Sequence, residues 1–538
     1  MLDELEVPEE PQENIHVAKL LGYESKLHSD NQTVSLSESS GDKLTSTKIK
    51  ELLEFLSAEL PGKPIRVAWN LDEFVAPILR LLGKEACLQI KDHNKLSLGR
   101  AYGIPASIFY VPGKVFSISD QQYNVNFYGI DQYFPDWDYP GNIDQVAGFG
   151  NMVIDALKKM HLDTKKLTSP VAIYEDAILK HCQIPTVAEV REKNWEVFDY
   201  ALKCTGRLWI SAYQLGHWDE EKCFDYDLRS AFPSVHSQLY STDEKFCSYE
   251  KSDHWIETAH MGFCKGKITV DHPIAPIFYQ SEDGLINPVG TWEGYLSTDE
   301  VRFLQKWKLG KFELIDGWFL TVTAPMQPML NITNRLYSYR GTDPIVDLLS
   351  KRMLAGAYGK SLEQHEDGKL GKYYNPIWGA LIPIRTNLKL AEFIYKKKLE
   401  ENVIHIAVDG VLTDRFVGEP KLAGMGNWKL SGIGPAYVIS SGLVFHGNKK
   451  PKGINYSKLK DLIKVHPNQS YYEEAMKRPV TMKEALQLGS SDIGKMKTYR
   501  SSIDLATVRH DRQFDSLPKT GKELSNNVYH SKPYKIED

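Results

Sequence analysis

The sequence predicts a multidomain protein of α/β and α+β class, and three observations carry that expectation. The chain has 538 residues, room for several domains of about 100–200 residues, each with its own core. Up to about residue 165, short apolar runs alternate with helical periodicity, the pattern of a sheet covered by helices. From near residue 205 to about residue 325, strand-like runs alternate with turns, which marks a second architecture.

The elements follow in order. The first dozen residues, with Pro8 and Pro11 among five acids, read as a loose arm. Between Ser46 and Leu60 the residues Ile49, Leu52, Leu53, Leu56 and Leu60 recur at helical spacing, and Pro61-Gly62 breaks the pattern. Ile65 to Trp69 reads as a short buried strand, with Leu71 to Leu82 as the helix after it. Further on, Arg207–Tyr213, Cys223–Asp227, Gly266–Val270, Ile277–Tyr279 and Glu313–Val322 read as strands. Residues 327–360 are helical in pattern, interrupted around Gly341-Thr342-Asp343-Pro344. Ala380–Ile384 reads as a strand, Leu388–Glu400 as a helix, and Val403–Thr413 as strand, turn and strand. Beyond Asn427 the chain is mixed, basic and richer in Lys, Pro and Gly.

Composition narrows the class. With 42% hydrophobic and 25% charged residues, the chain is neither disordered, fibrous nor a disulfide-framed toxin. It has no run of about 18 apolar residues, so no spanning helix and no membrane partner are expected. The acidic start, Met1-Leu2-Asp3-Glu4-Leu5-Glu6, lacks the basic opening of a secretory signal. Six scattered cysteines without a CxxC pair read as reduced thiols, so the expected location is cytoplasmic. The net charge of −5 hides a gradient: residues 1–60 carry 5 basic and 13 acidic side chains, residues 441–538 carry 18 and 11. A basic C-terminal segment behind an acidic front fits either a polyanion partner at one end or a solvated surface.

Three segments carry candidate chemistry. In Phe224-Asp225-Tyr226-Asp227-Leu228-Arg229-Ser230-Ala231-Phe232-Pro233-Ser234, a strand delivers a carboxylate and the chain turns into a helix, whose first N–H groups suit a triphosphate. In Lys351-Arg352-Met353-Leu354-Ala355-Gly356-Ala357-Tyr358-Gly359, helical spacing puts Lys351, Leu354, Ala355 and Tyr358 on one face. That face offers a cation, then small residues, then an aromatic plate. In Val403-Ile404-His405-Ile406-Ala407-Val408-Asp409-Gly410-Val411-Leu412, Asp409 falls at the tip of a hairpin among apolar neighbours, where a carboxylate is costly unless a cation meets it. Taken singly, these are a surface or capping Asp, a tightly packed helix and a common Asp-Gly turn.

Together, in order and 124 and 58 residues apart, they resemble the three polymerase motifs of the B-family DNA polymerases. Asp227–Ser234 resembles the first motif, Asp-x-x-Ser-Leu-Tyr-Pro-Ser. Lys351–Gly359 resembles the second, Lys-x-x-x-Asn-Ser-x-Tyr-Gly, and Val408-Asp409-Gly410 the end of the third, Asp-Thr-Asp-Ser. Thr205-Gly206-Arg207, Gly290–Gly294, Glu313–Gly317 and Trp428-Lys429-Leu430 also resemble family segments, so the likeness covers about residues 200–455. It implies an RNase H-like, exonuclease-like N-terminal domain followed by a right-hand polymerase. The divisions would be 1–200 exonuclease-like, 201–326 and 366–430 palm, 327–365 fingers, and 431–538 thumb and tail.

The resemblance also implies roles. Asp227 and Asp409, with Leu228, would hold two Mg²⁺ ions, for which Mn²⁺ may substitute, and would catalyse addition of deoxynucleotides to a primer 3′-hydroxyl. Lys351, Tyr358, Phe232, Ser230 and Ala231 would meet the nucleotide, with Arg335 or Arg340 as helpers placed by spacing. Phe232 replaces the Tyr that closes the sugar pocket in relatives and keeps its bulk, so deoxynucleotides are expected. Lys429, Lys449, Lys450 and Lys452 would grip the phosphates of a primer-template DNA duplex. Partners are therefore that DNA, dNTPs and replication accessory proteins.

Two departures are visible. Ala407 stands where the third motif has its first Asp, and Ala355-Gly356 replace Asn-Ser of the second. In the N-terminal region, Asn70–Val75 resembles the second exonuclease motif, but Val75 stands in place of its Asp. Asp72, Glu73, Asp144 and Asp155 are the acids left to improvise a nuclease site, so a degenerate exonuclease is expected. Length and the spacing of the first two motifs resemble protein-primed phage and plasmid enzymes of viral or mobile-element type. The short Lys360–Asn402 interval, with a polar hairpin at Glu363–Lys372, lacks their insertion, and how synthesis starts is not legible. Two other readings stay open: a catalytically inactive polymerase-fold scaffold, and a template-independent nucleotidyltransferase.

Overall fold

The computed structural model describes residues 20–447 apart from 29–31, 61–62, 100–102, 121–122, 135–136, 138–140, 164–166, 186–194, 283 and 366–367. Beyond 447 it describes residues 471–481, 484–485, 496–504, 512–514 and 529–536. The described residues fall into two compact units, one within Met1–Ile173 with Pro344–Leu349 and Lys477–Thr498, the other comprising the rest.

The first unit is built on an eight-stranded sheet. Its strands are β1 (Leu20–Leu27), β2 (Val34–Glu38), β3 (Lys43–Ser46), β4 (Ile65–Ala68), β5 (Lys95–Ser97), β6 (Ser107–Val111), β7 (Val115–Ser119) and β8 (Asn124–Gly129). They lie in the order β3-β2-β1-β4-β8-β7-β6-β5. Two pairings in it are parallel, β1 with β4 and β4 with β8. The expected βα alternation thus holds around β4 and gives way to an antiparallel meander from Lys95 to Gly129. The cause is loop length: β6 and β7 are three residues apart, through Pro112-Gly113-Lys114, and a parallel crossover needs a dozen or more. The helix Leu71–Leu82 forms where expected. Asn70 caps it by accepting from the Glu73 amide at 2.9 Å, and Gly83, at φ 84°, closes it. Leu52, Leu53 and Leu56 of the helix Ile49–Ser57 are buried in the same core as Phe74, Ile78, Phe116 and Phe127.

The second unit contains two larger sheets, antiparallel but for the pairing of Val289–Gly290 with Lys535–Ile536, and a two-stranded hairpin of Tyr279–Ser281 with Gly284–Ile286. Its strands are β9 (Ile210–Ala212), β10 (Gln214–Leu228), β11 (Cys247–Ser252), β12 (Met261–Val270), β13 (Tyr279–Ser281), β14 (Gly284–Ile286), β15 (Val289–Ser297), β16 (Gly310–Val322), β17 (Val403–Ala407), β18 (Gly410–Thr413), β19 (Trp428–Ser440) and β20 (Leu443–His446). One sheet runs β20-β19-β10-β18-β17-β9, the other β11-β16-β12-β15. Tyr226, Val411, Ile268, Leu304, Leu390 and Ile394 share one buried core. Burial there includes an ion pair. Arg207 donates to Glu300 at 2.8 Å, and Glu300 in turn completes a capping box with Ser297 on the helix Thr298–Trp307. Asn387 donates to the Arg207 carbonyl at 2.7 Å, tying that loop to the helix Pro376–Lys397.

That helix corrects the reading of Ala380–Ile384 as a strand. A short apolar run buried all round has no periodicity to separate strand from helix. The decisive signal lies upstream, where Asn375 accepts from the Trp378 amide at 3.2 Å and Pro376 takes the first helical position. The same helix ends at Lys397, with Lys398 at φ 54°, short of the expected Glu400. In the segment Ile277–Tyr279, the strand begins only at Tyr279. Among the described residues no helix is long and apolar enough to cross a membrane.

Candidate active site

The site is set by strand register. Asp227, one residue from the end of β10, is flanked by Gly410 of β18 on one side and Lys429 of β19 on the other. Asp409 sits one residue before Gly410, in the two-residue turn between β17 and β18, and its carbonyl accepts from the Leu228 amide at 2.8 Å. The hairpin is tight. The Asp409 amide donates to the Ala407 carbonyl at 2.5 Å across Val408, which stands at φ 50°. A three-residue turn with a β-branched residue at positive φ is strained.

Asp227 is held by named partners. Ser431 donates to its Oδ2 at 2.5 Å, and the Lys429 ammonium lies 3.6 Å from the same oxygen. Its Oδ1 lies against Gly410, only 2.5 Å from where a Cβ would stand, so glycine is required there. Leu228 leads into a turn fixed by Arg229, whose amide donates to the Asn427 carbonyl (2.9 Å) and whose carbonyl accepts from Gly426 (2.7 Å). Ser230 takes φ 47° and precedes the helix Ala231–His236.

These groups line one cavity of about 600 Å³. Of the residues singled out in the sequence, Asp227, Leu228, Ser230, Ala231, Phe232, Arg340, Lys351, Asp409 and Lys429 all line it. Tyr358 meets the site through Phe232, ring edge to face with centroids 4.9 Å apart. Arg335 does not line the cavity. On the helix Leu330–Ser338 its charge is felt by Tyr174 and Cys182, and its Nε is buried without a partner. The lining residue from that helix is Tyr337. Spacing alone put Arg335 near the nucleotide, and two residues along a helix is about 200° of rotation. Arg229 and Tyr337 were missed, because neither falls on a motif position. Lys449, Lys450 and Lys452 lie outside the described residues.

The cavity lining carries four cationic side chains, Arg229, Arg340, Lys351 and Lys429, against two carboxylates, Asp227 and Asp409. The carboxylates that line it offer hard oxygens, the kind that suits Mg²⁺ and Mn²⁺. Among the described residues no three His, Cys, Asp or Glu side chains gather as a metal-holding group. The donor set therefore fits a divalent ion but departs from a site crowded with acids.

In the first unit, the acids expected as a fallback nuclease site stand apart in their roles. Asp72 Oδ1 accepts from the Tyr110 hydroxyl at 2.5 Å and the Gly113 amide at 2.6 Å, and burial pushes its carboxyl up. Val75 is fully buried, while Glu73, Asp144 and Asp155 are exposed.

The mixed α/β and α+β units match the architecture of an exonuclease-like domain followed by a polymerase. Solved structures of a DNA polymerase match it over nearly the whole chain. Phi29 DNA polymerase complexed with primer-template DNA and incoming nucleotide matches with a TM-score of 0.56 at 12% identity, covering 90% of this chain and 99% of that one. Its complex with single-stranded DNA matches with a TM-score of 0.55 at 12% identity, covering 91% and 100%. The chain has the fold of that DNA polymerase. No protein-family model and no curated protein sequence matches it.

Proposed function

We propose that this chain is a template-directed DNA polymerase that adds deoxynucleotides to a primer 3′-hydroxyl and does not proofread. One observation supports it above the rest: Asp227 and Asp409, far apart in sequence, line one cavity together with four cationic side chains, within a polymerase fold. In this reading residues 1–200 form the exonuclease-like platform, 201–326 and 366–430 the palm, 327–365 the fingers and 431–538 the thumb and tail. Asp227, Asp409 and the Leu228 carbonyl would hold divalent metal, Mg²⁺ or Mn²⁺. When bound, the metal lowers the pKa of the primer hydroxyl and neutralises the leaving pyrophosphate.

The chain's own residues do the positioning. Lys351 and Arg340 bind the triphosphate, joined by Arg229, and the Ser230–Ala231 turn shapes the floor beneath it. Phe232, backed by Tyr358, fills the space beside the sugar and disfavours a 2′-hydroxyl. The nuclease function is absent in this reading because Val75 replaces a carboxylate and Asp72 is tied to Tyr110 and Gly113.

Primer extension tests the proposal. Mg²⁺-dependent, template-directed incorporation by the wild type, lost in Asp227→Ala and Asp409→Ala, is expected. No incorporation, or equal incorporation by the variants, overturns it. Ala407 and the Lys429–Asp227 contact favour a second reading, a nucleic-acid-binding scaffold without turnover, which that negative result would support. Tailing of a primer without template would identify a nucleotidyltransferase instead.

A further inference from the structure

Asp227 and its neighbours on β19 form a feature that the proposed reaction does not itself require. Lys429 is the cross-strand neighbour of Asp227 in the β10–β19 register, so its stem is placed by the sheet and not by a loop. Its ammonium and the Ser431 hydroxyl both address Oδ2 of Asp227, at 3.6 and 2.5 Å. A carboxylate oxygen offers about two lone-pair sites. Ser431 thus takes up one of these sites by hydrogen bond, and the Lys429 ammonium, beyond hydrogen-bond distance, places its charge beside the same oxygen. Ala407 removes the next acid of the hairpin, leaving Asp227 and Asp409 as the acids of the cavity lining. Lys429 is 38% exposed and Asp227 19%, so the pair sits at the cavity floor with partial access to water.

We infer that Lys429 is a resident cation of the reaction centre, standing beside Oδ2 of Asp227, so that the centre takes one divalent ion. This rests on the polymerase reading of the same site and specifies its metal requirement. The charge argument is direct. A divalent ion beside Oδ2 meets an ammonium 3.6 Å from that oxygen and is repelled twice as strongly as a monovalent ion would be. The ammonium supplies part of the positive charge that a second ion would bring, without leaving the protein between turnovers. Lys429 is thus a positioning residue acting through Asp227.

The test counts ions on the full chain, bound to primer-template DNA with a dideoxy-terminated primer and the matching dNTP. Mn²⁺ is titrated and read by electron paramagnetic resonance and by calorimetry. One tightly bound Mn²⁺ per chain is expected in the wild type and in Lys429→Arg. In Lys429→Met a second Mn²⁺ is expected, bound at least ten-fold more tightly than any second ion in the wild type. Two tight ions in the wild type, or one in Lys429→Met with its thermal unfolding unchanged, overturn the inference while leaving the polymerase reading intact. Mn²⁺ binding that survives Asp227→Ala and Asp409→Ala unaltered sinks the reading of the site, and this inference with it.

Discussion

Val408 holds φ 50° between two strands, a conformation that costs a β-branched residue roughly 1–2 kcal/mol relative to the right-handed region. Strain of this kind persists where surroundings over-determine the backbone, here the Val408 amide bonded to the Trp209 carbonyl at 2.8 Å. Val408→Gly relieves the strain and adds about 0.5–1 kcal/mol of unfolded-chain entropy. The expected outcome is a urea midpoint equal to or above that of the wild type, with slower nucleotide incorporation because Asp409 is less firmly aimed. A clearly lower midpoint would show that no strain is stored there. At this scale the sequence was informative where chemistry follows a spacing rule. Asp227, Asp409 and Lys351 stood in register with known motifs and converge in space. Arg229, Tyr337 and Ser431 did not, since a guanidinium, a phenol and a hydroxyl between motif positions carry no spacing signal of their own.

At the scale of elements, the three strands β18, β10 and β19 act as one device. Gly410→Ala places a Cβ 2.5 Å from Asp227 Oδ1 and 3.4 Å from the Tyr226 carbonyl. Either Asp227 rotates or β18 draws back, so incorporation is expected to fall at least ten-fold. Overpacking should also lower stability by about 1–3 kcal/mol, measured by denaturant unfolding. Unchanged activity would mean that Asp227 is not held against this strand. The Asp-Gly hairpin was readable because turn chemistry is local. Helix Pro376–Lys397 was misread in part because Ala380–Ile384 is buried on every side, which removes the polar stripe that marks an amphipathic helix. The order of strands in the first unit was unreadable for another reason: pairing partners are chosen by packing across the sheet, and β1 takes β4 and β2 together.

Across the whole molecule, buried titratable groups set the response to pH. Burial pushes His236 down to about 3 and His405 down to about 4, the latter opposed by its bond to the Ser441 carbonyl at 2.7 Å. Both are neutral when folded and near 6.5 when unfolded. Their stability is therefore intact above pH 6.5 and lost as pH falls from there toward 4, roughly 2 kcal/mol for each by pH 5. Thermal midpoints should drop steeply across that window, and His236→Gln or His405→Gln should flatten the drop. A midpoint constant from pH 7 to pH 5 would contradict this. The six cysteines behave alike. All are free, and burial pushes Cys204, Cys223, Cys247 and Cys264 up to about 12 and Cys182 to about 11. A water-soluble thiol reagent at pH 8 should therefore label at most Cys182 in the native protein and all six after denaturation. The segments Pro344–Leu349 and Lys477–Thr498 belong to the first unit although they stand far along the chain from its other residues.

The hydrogen bond from Ser431 to Asp227 spans 204 residues of sequence. A ribosome adds residues at roughly 5–20 per second, so Asp227 waits through many seconds of synthesis before its strand partners emerge. For most of that time the nascent chain holds neither Asp409 nor Lys429, and the reaction centre is not assembled. Long-range pairing of this kind also makes refolding slow, since loop closure must precede any gain from contact. Activity should return last during refolding, well after the helical signal of Pro376–Lys397.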